Sequence, residues 1–285
     1  MFASLIGNSA TSDKCSRRIG TFRLLLVWMC WLCSSQVGAE TRLEKVPFEV
    51  DGRPAFVIEA IKPAEGKPWV WYAPTLGANL PGEGHRWYFD RLLDSGISVA
   101  GVDLGEVRGS PASNMRFLAF HREMVRRGYS SKPILLGQSR GGLMMLSFAT
   151  EHPEKLCAFV GIYPVCNLTS WPLKNSKAAT LADFALPESE LVDNLAKFNP
   201  IDKLQGLAQH HVPMFAVHGD SDTVVPLEEN SGKLKQRYSA AGGSMTVKVI
   251  RGEGHKVSPS FFECEELVNF IRQVSLVHKS TETQP

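Results

Sequence analysis

Residues 133–142 read Pro133-Ile134-Leu135-Leu136-Gly137-Gln138-Ser139-Arg140-Gly141-Gly142, and this stretch decides the fold of the chain. An apolar run that enters the pattern G-x-S-x-G is typical of a buried strand that turns sharply into a helix. Glycines two residues either side of Ser139 leave room for the turn, which exposes the serine hydroxyl. Because five positions with three fixed residues also recur by chance, the weight of the pattern depends on its context.

Apolar runs on both sides of this stretch alternate between strand and helix patterns. Short apolar runs predict strands over 46–50, 55–61, 69–73, 97–102, 133–137, 158–163, 212–218 and 245–250. Amphipathic runs predict helices over 85–94, 113–127, 143–151, 227–238 and 259–274. Short buried strands separated by helices imply an α/β fold with a mostly parallel sheet covered on both faces.

Residues 164–207 interrupt this alternation and hold several short helical stretches, among them 188–198. We interpret the segment as a short helical cap inserted over the carboxyl edge of the sheet, where such folds place their sites. The alternative is a surface excursion that does not contact substrate.

Two later strands end in polar loops that could supply partners for Ser139. One loop runs Gly219-Asp220-Ser221-Asp222 after the strand 212–218, and the other runs Gly252-Glu253-Gly254-His255 after the strand 245–250. In a parallel sheet both loops emerge at the same edge as Ser139. A serine nucleophile needs a histidine base and an acid that orients the base, so these loops carry the candidates.

The serine pattern, the run from His218 to Pro226 and the run that ends at His255 together resemble the α/β-hydrolase superfamily. Within it the chain is similar to prolyl-oligopeptidase-type and dienelactone-hydrolase-like esterases, and the resemblance covers residues 40–285 almost entirely. The resemblance implies a triad of Ser139, Asp222 and His255; Asp220 is the competing acid, but in the family the earlier acid of this run caps its loop. It implies no cofactor and no metal. His218 could support Asp222 or simply end its strand. The remaining histidines fall on helix faces or linkers, where we expect most to be solvated: His85, His121, His152, His210, His211 and His278.

The oxyanion of a serine hydrolase needs two backbone N–H donors. One is expected from Arg140, which follows the nucleophile. The other should come from the turn after the strand 69–73, from Thr75 or, shifted by one position, Leu76. Members of the superfamily commonly carry His-Gly there, whereas this chain has Ala73-Pro74.

Charged residues near the predicted site have two possible roles. Glu106 and Arg108 follow the strand 97–102, and they could contact substrate, although we favour an ion pair between the two. Arg140 could bind an anionic group of a substrate, or it could pair with a nearby acid and brace the turn.

The first 39 residues have the pattern of a secretory signal peptide. Basic residues precede an apolar run over 24–33, and Val37-Gly38-Ala39 supplies small residues before a cut after Ala39. We expect a secreted or periplasmic protein without a stable membrane span after cleavage. Alternatives are an uncleaved anchor or, from Arg17-Arg18, a twin-arginine signal.

The composition does not indicate a function, which must be inferred from local sites. The chain has 285 residues, is 44% hydrophobic and carries a net charge of +2, which gives no reason to expect a nucleic-acid partner. Cys157, Cys166 and Cys264 follow the leader, and their spacing suggests no metal site. We do not expect Cys157 to pair with Cys166, because a strand separates them.

These observations predict a secreted serine hydrolase that cleaves carboxylic esters. Its substrate would be a small molecule or a carbohydrate that carries an acyl group, or a small plant-derived ester. The alternative is a prolyl-oligopeptidase-type peptidase, although residues 164–207 are too few to form the large gating domain usual in those enzymes. A binding protein that has lost activity is a third hypothesis, which the complete triad argues against.

Overall fold

The computed structural model describes residues 44–77 and 79–282, without the side chains of 277–282. The predicted leader therefore lies outside the described residues. Eight strands form one sheet: β1 Val46–Val50, β2 Arg53–Ile58, β3 Trp69–Ala73, β4 Ser98–Val102, β5 Ile134–Gln138, β6 Ala158–Ile162, β7 Met214–Gly219 and β8 Met245–Ile250. Their order is β1-β2-β4-β3-β5-β6-β7-β8, and only the β1–β2 and β2–β4 pairs are antiparallel. The predicted α/β fold with a mostly parallel sheet is confirmed.

The helices flank this sheet and connect its parallel strands. They are α1 Arg86–Asp94, α2 Pro111–Arg126, α3 Gly141–Glu151, α4 Trp171–Asn175, α5 Lys177–Phe184, α6 Glu188–Asp193, α7 Leu195–Phe198, α8 Gln205–Gln209, α9 Ser231–Ala240, α10 Pro259–Phe262 and α11 Glu265–Glu282. Helix α2 begins two residues before the predicted start. Ser110 caps it by accepting the Ser113 N–H, and Pro111 occupies the first helical position, where a missing N–H costs nothing.

Three helices predicted as continuous are broken. The predicted helix 227–238 consists of a 3₁₀ turn, Leu227–Glu229, followed by α9, which begins at Ser231. The predicted helix 259–274 ends at Phe262 and resumes at Glu265. Phe262 and Cys264 are both buried, whereas residues two apart on one helix point about 200° from each other. The predicted helix 188–198 breaks at Asn194, whose side-chain amide donates to the Glu190 carbonyl at 2.8 Å and competes with the helical bonds.

The core lies on both faces of the sheet, because alternate residues of each strand point to opposite sides. Trp69 and Trp71 of β3 pack with the side chains of α2 and α3, and the Trp71 ring centroid lies 5.0 Å from that of Phe148. Val70 and Tyr72 of the same strand pack on the other face with α1 and α11. Central strands covered on both faces need the continuous apolar runs seen in the sequence.

The segment 164–207 forms four short helices, α4 to α7, and the start of α8 between β6 and β7. Its apolar residues make a separate cluster that includes Leu173, Phe184 and Leu191, packed with Leu143 of α3 and Val225 of the loop after β7. The insertion is thus anchored beside the residues that follow β5 and β7. Its role as a cap over the site stays a prediction.

Within the described part of the chain, no helix has the length and apolar character needed to cross a membrane. Cys166 and Cys264 are buried free thiols.

Candidate active site

The turn from β5 into α3 has the sharp geometry predicted from its sequence. Ser139 has φ of +50°, in the left-handed region that side chains other than glycine seldom adopt. A Cβ on Gly137 would lie 2.5 Å from the Gly142 Cα, and a Cβ on Gly141 would lie 2.1 Å from the Ala73 carbonyl oxygen. Glycine is therefore required on both sides of Ser139 by the close approach of neighbouring backbone.

The structure brings Ser139, His255 and Asp222 together in one hydrogen-bonded chain. The Ser139 Oγ lies 2.9 Å from the His255 Nε2, and the His255 Nδ1 lies 2.7 Å from the Asp222 Oδ2. The serine follows β5, the aspartate follows β7 and the histidine follows β8. In this geometry the imidazole can take the hydroxyl proton at one nitrogen while the carboxylate fixes its other nitrogen as the donor.

The Asp222 carboxylate is held in place from its own loop. Its Oδ1 accepts the N–H groups of Val224 at 2.9 Å and Val225 at 2.8 Å. Burial by itself would raise the pKa of Asp222, but the interactions with His218 and His255 and the Val225 N–H hold that pKa below its usual value. Asp222 is therefore ionised at neutral pH and can orient the histidine.

His218 supports the loop that carries Asp222 from the protein interior. It is fully buried, with its Nε2 at 2.8 Å from the Val225 carbonyl and its Nδ1 at 2.8 Å from the Ser231 Oγ. Because a carbonyl only accepts, Nε2 carries the proton, and this N–H also lies 3.5 Å from the Asp222 Oδ2. His218 thus stabilises the conformation that presents Asp222.

Asp220, the other acid of the run, is exposed and does not contact His255. Its Oδ1 accepts the Gly252 N–H at 2.7 Å and so ties the loop after β7 to the loop after β8. This contact agrees with the loop-capping role that the family resemblance implies.

The turn after β3 lies directly against the serine turn. Gly141 approaches the Ala73–Pro74 peptide closely, and the Asp103 Oδ2 accepts the Gly77 N–H at 2.6 Å, which fixes the far end of the turn. The Leu76 N–H faces the Leu80 carbonyl at 3.4 Å, whereas Thr75 directly follows the peptide that packs on Gly141. Arg140 lies at the amino end of α3, where backbone N–H groups favour negative charge.

One prediction about charged side chains is wrong. Arg108 does not pair with the Glu106 carboxylate: its guanidinium is 2.7 Å from the Asp183 carboxylate of α5 and 2.8 Å from the Glu106 backbone carbonyl. Glu106 instead pairs with Arg140. Of the histidines that are mostly expected to be solvated, His85 and His121 are buried, because aromatic neighbours enclose both.

The sequence analysis missed a polar network beneath the serine turn. Gln138, the last residue of β5, is buried and hydrogen-bonds with Tyr72, His85 and Tyr163. The Tyr163 ring centroid lies 4.5 Å from that of His255. One signal could have indicated this network: a glutamine ends an otherwise apolar buried strand and therefore needs polar partners.

Among the described residues, no group of three or more His, Cys, Asp or Glu side chains is arranged to hold a metal ion.

Comparison with known proteins agrees with this geometry. The model of the prolyl oligopeptidase family, Peptidase_S9, matches residues 116–275, which is more than half of the chain. No curated protein matches the chain significantly in sequence.

Three solved structures illustrate the fold. A puromycin-hydrolysing peptidase of Mycobacterium tuberculosis is 16% identical with a TM-score of 0.58, over 80% of this chain and 38% of the peptidase. Est1E from Butyrivibrio proteoclasticus is 14% identical with a TM-score of 0.58, over 83% of this chain and 99% of Est1E. Carboxyl esterase 2 of Tuber melanosporum is 16% identical with a TM-score of 0.58, over 85% and 87% of the two chains. The chain thus spans about two fifths of the length of the peptidase.

The fold and the site define a serine hydrolase of the α/β-hydrolase type. Within that class, the chain belongs to the prolyl oligopeptidase family.

Proposed function

We propose that this protein is a secreted or periplasmic serine hydrolase that cleaves carboxylic esters. Ser139 is the nucleophile, His255 is the general base and acid, and Asp222 orients His255. The observation that carries the proposal is the chain of two hydrogen bonds, 2.9 Å from the Ser139 Oγ to the His255 Nε2 and 2.7 Å from the His255 Nδ1 to Asp222.

The reaction proceeds in two halves. The Ser139 Oγ attacks the ester carbonyl carbon while the His255 Nε2 takes the hydroxyl proton. Breakdown of the tetrahedral intermediate gives the proton to the leaving alcohol and leaves an acyl group on Ser139. A water molecule, deprotonated by His255, then attacks the acyl carbonyl. As the bond to the Ser139 Oγ breaks, His255 returns the proton to that oxygen, which releases the acid and restores the enzyme.

The backbone N–H groups of Arg140 and Thr75 are the proposed oxyanion donors. Thr75 is preferred to Leu76 because the Leu76 N–H already faces the Leu80 carbonyl, whereas Thr75 follows the peptide packed on Gly141. Preorganised donors of this kind are worth about 10²–10³-fold in kcat each.

An ester substrate is favoured because this chain covers nearly the whole length of two structurally similar esterases. The chain spans 99% of Est1E and 87% of carboxyl esterase 2, and its insertion of residues 164–207 is short. The second candidate is a serine peptidase, which the family model and the similarity to the puromycin-hydrolysing peptidase favour. An acyl group on a carbohydrate or a small plant-derived ester stays the hypothesis for the natural substrate.

Arg140 and Glu106 are the proposed substrate contacts outside the reacting atoms. They form an ion pair next to Ser139, with side chains that are 37% and 48% exposed. An anionic substrate would displace Glu106 from the Arg140 guanidinium. Arg140→Gln should then reduce kcat/KM for acidic esters at least tenfold more than for neutral esters, and equal losses on both would contradict the contact.

The proposed nucleophile and base are tested with a fluorophosphonate probe and short p-nitrophenyl esters. The purified protein should be labelled at Ser139 and should hydrolyse the esters, and Ser139→Ala and His255→Ala should abolish both activities. Ser221→Ala and His210→Ala remove an exposed serine and an exposed histidine, and they should leave both activities unchanged. Absence of labelling in folded protein would refute the assignment.

Ester and peptide cleavage are separated by substrates that share one acyl group. We expect the p-nitrophenyl ester to be cleaved and the matching peptide p-nitroanilide to be cleaved poorly; the reverse would establish the peptidase. Secretion is tested separately by sequencing the amino terminus of the exported protein, which should begin at Glu40.

A further inference from the structure

The residue before the nucleophile is a buried amide with a full set of partners. The Gln138 Oε1 accepts a hydrogen bond from the Tyr72 hydroxyl at 2.7 Å and lies 2.7 Å from the His85 Nε2. The His85 Nε2 also lies 2.8 Å from the Tyr72 hydroxyl, and its Nδ1 lies 3.1 Å from the Gly82 carbonyl oxygen. The Tyr72 hydroxyl and the His85 ring together hold the amide in one orientation.

That orientation directs the Gln138 Nε2 toward Tyr163, where it donates to the hydroxyl at 3.2 Å. Tyr163 follows β6 with φ of +35°, and its N–H donates to the Val217 carbonyl at 2.8 Å. Its ring is packed edge-to-face on Phe261, with centroids 5.0 Å apart. Burial raises the pKa of Tyr163, so the hydroxyl stays protonated. The tyrosine is held at its backbone, ring and hydroxyl.

The Tyr163 ring in turn covers the His255 imidazole, with centroids 4.5 Å apart and planes inclined at 58°. The hydrogen bonds of His255 to Ser139 and Asp222 leave from its two ring nitrogens, and they define a line through the ring. They do not by themselves prevent the ring from rocking about that line. A rigid aromatic side chain against one side of the imidazole restricts this motion.

We propose that Tyr163 is a positioning residue for His255 and that the Gln138 amide holds Tyr163 in place. The contacts of Gln138 with Tyr163 and of Tyr163 with His255 connect the strand that carries the nucleophile to the base that activates it. This inference rests on the proposed function of Ser139 and His255. It assigns to two residues outside the triad a role in the rate of the chemical step.

The first test is a double-mutant cycle in ester hydrolysis. Tyr163→Phe and Gln138→Met should each lower kcat about threefold to tenfold, the range for loss of one neutral hydrogen bond. KM should change by less than about twofold, because both side chains are buried. The double variant should lose no more than the larger single loss, since both changes break the same contact. A double variant whose loss in kcat equals the product of the two single losses would overturn the proposal. Variants that change KM and leave kcat unchanged would also overturn it.

Tyr88→Phe is the matched control, because the Tyr88 hydroxyl is buried in the same aromatic cluster and has no hydrogen-bond partner among the residues that the structure describes. It should leave kcat unchanged. Tyr163→Leu removes the ring as well as the hydroxyl and should lower kcat more than Tyr163→Phe does. A Tyr163→Leu variant that is folded by circular dichroism and no slower than Tyr163→Phe would refute the ring contact.

A measurement that needs no turnover separates this inference from the proposed function. The His255 Nδ1 proton, shared with Asp222, should give a proton NMR resonance that disappears in His255→Ala. In Tyr163→Phe this resonance should shift or broaden, and in Tyr88→Phe it should not. An unchanged resonance in Tyr163→Phe would overturn the positioning role even in an active enzyme, whereas a shifted resonance in a protein that cleaves no ester would refute only the proposed reaction.

Discussion

Replacing Asp222 with asparagine tests how the carboxylate acts on His255. The two oxygens of Asp222 have different partners: Oδ1 accepts the Val224 and Val225 N–H groups, and Oδ2 accepts the His255 Nδ1–H. Asparagine has one acceptor oxygen and one donor NH₂ group. The oxygen should stay on the two backbone donors, because an NH₂ group there would face two N–H groups. The NH₂ group must then face His255.

An N–H donor opposite Nδ1 stabilises the tautomer in which Nδ1 accepts and the His255 Nε2 carries the proton. That nitrogen then donates toward the Ser139 Oγ, 2.9 Å away, and cannot take the serine proton. A wrong tautomer of this kind costs about 10⁴-fold in kcat, which corresponds to about 5.4 kcal/mol in activation free energy at about 1.36 kcal/mol per tenfold change.

The assay is steady-state hydrolysis of p-nitrophenyl acetate, together with the rate of fluorophosphonate labelling. Both rates should fall together in Asp222→Asn. Asp220→Asn is the control, because Asp220 is exposed in the same loop and binds only backbone and Ser221; its kcat should stay within about threefold of wild type. An Asp222→Asn enzyme within tenfold of wild type, or an equal loss in Asp220→Asn, would refute the reasoning.

Three further predictions concern packing, the insertion and pH. Gly141→Ala should lower kcat for p-nitrophenyl acetate about 10²-fold or more by displacing the oxyanion turn, whereas Gly254→Ala, whose Cβ would meet nothing nearer than 3.5 Å, should stay within about twofold; equal losses would contradict this. In urea denaturation, Arg108→Gln should reduce the free energy of unfolding by about 2–3 kcal/mol, because it removes the buried cationic partner of Asp183, whose side chain is only 21% exposed. Lys177→Gln, in an exposed ion pair, should cost less than about 0.5 kcal/mol. Similar losses in the Arg108 and Lys177 variants would contradict the larger contribution of the Arg108–Asp183 pair. Because the pKa of Asp222 is lower in the folded protein than in the unfolded chain, its contribution to stability is full above the unfolded pKa of about 4 and is lost as the pH falls through the folded value. Wild type should therefore lose more unfolding free energy than Asp222→Asn when the pH is lowered from 6 to 3, and an equal loss in the two proteins would disprove the linkage.

The local features of this chain could be predicted from its sequence because their causes are local. Strands β3 and β8 match the predicted ranges 69–73 and 245–250, since each is a short run with β-forming apolar residues between turn residues. The sequence singles out Ser139, Asp222 and His255 because each lies in a loop after a predicted strand, and the family resemblance selects Asp222 over Asp220. Parallel strands that end at one edge of a sheet place such residues side by side without any knowledge of packing.

Partner choice could not be predicted, because it depends on which elements fold against each other. Arg108 pairs with Asp183, 75 positions away, and not with its sequence neighbour Glu106, because α5 of the insertion lies over the loop after β4. His85 is polar in the sequence, but the position of α1 against the sheet buries it under the serine turn.

The α/β class, the serine turn and the three residues at one edge of the sheet can therefore be inferred without the structure. Their surroundings are known only from the folded protein: Gln138 against Tyr163, Tyr163 against His255, and Arg140 against Glu106. The difference lies in how far apart in the chain the interacting residues are. Turn geometry and strand pattern arise from neighbours in the chain, whereas burial and hydrogen-bond pairing arise from residues that become neighbours only on folding.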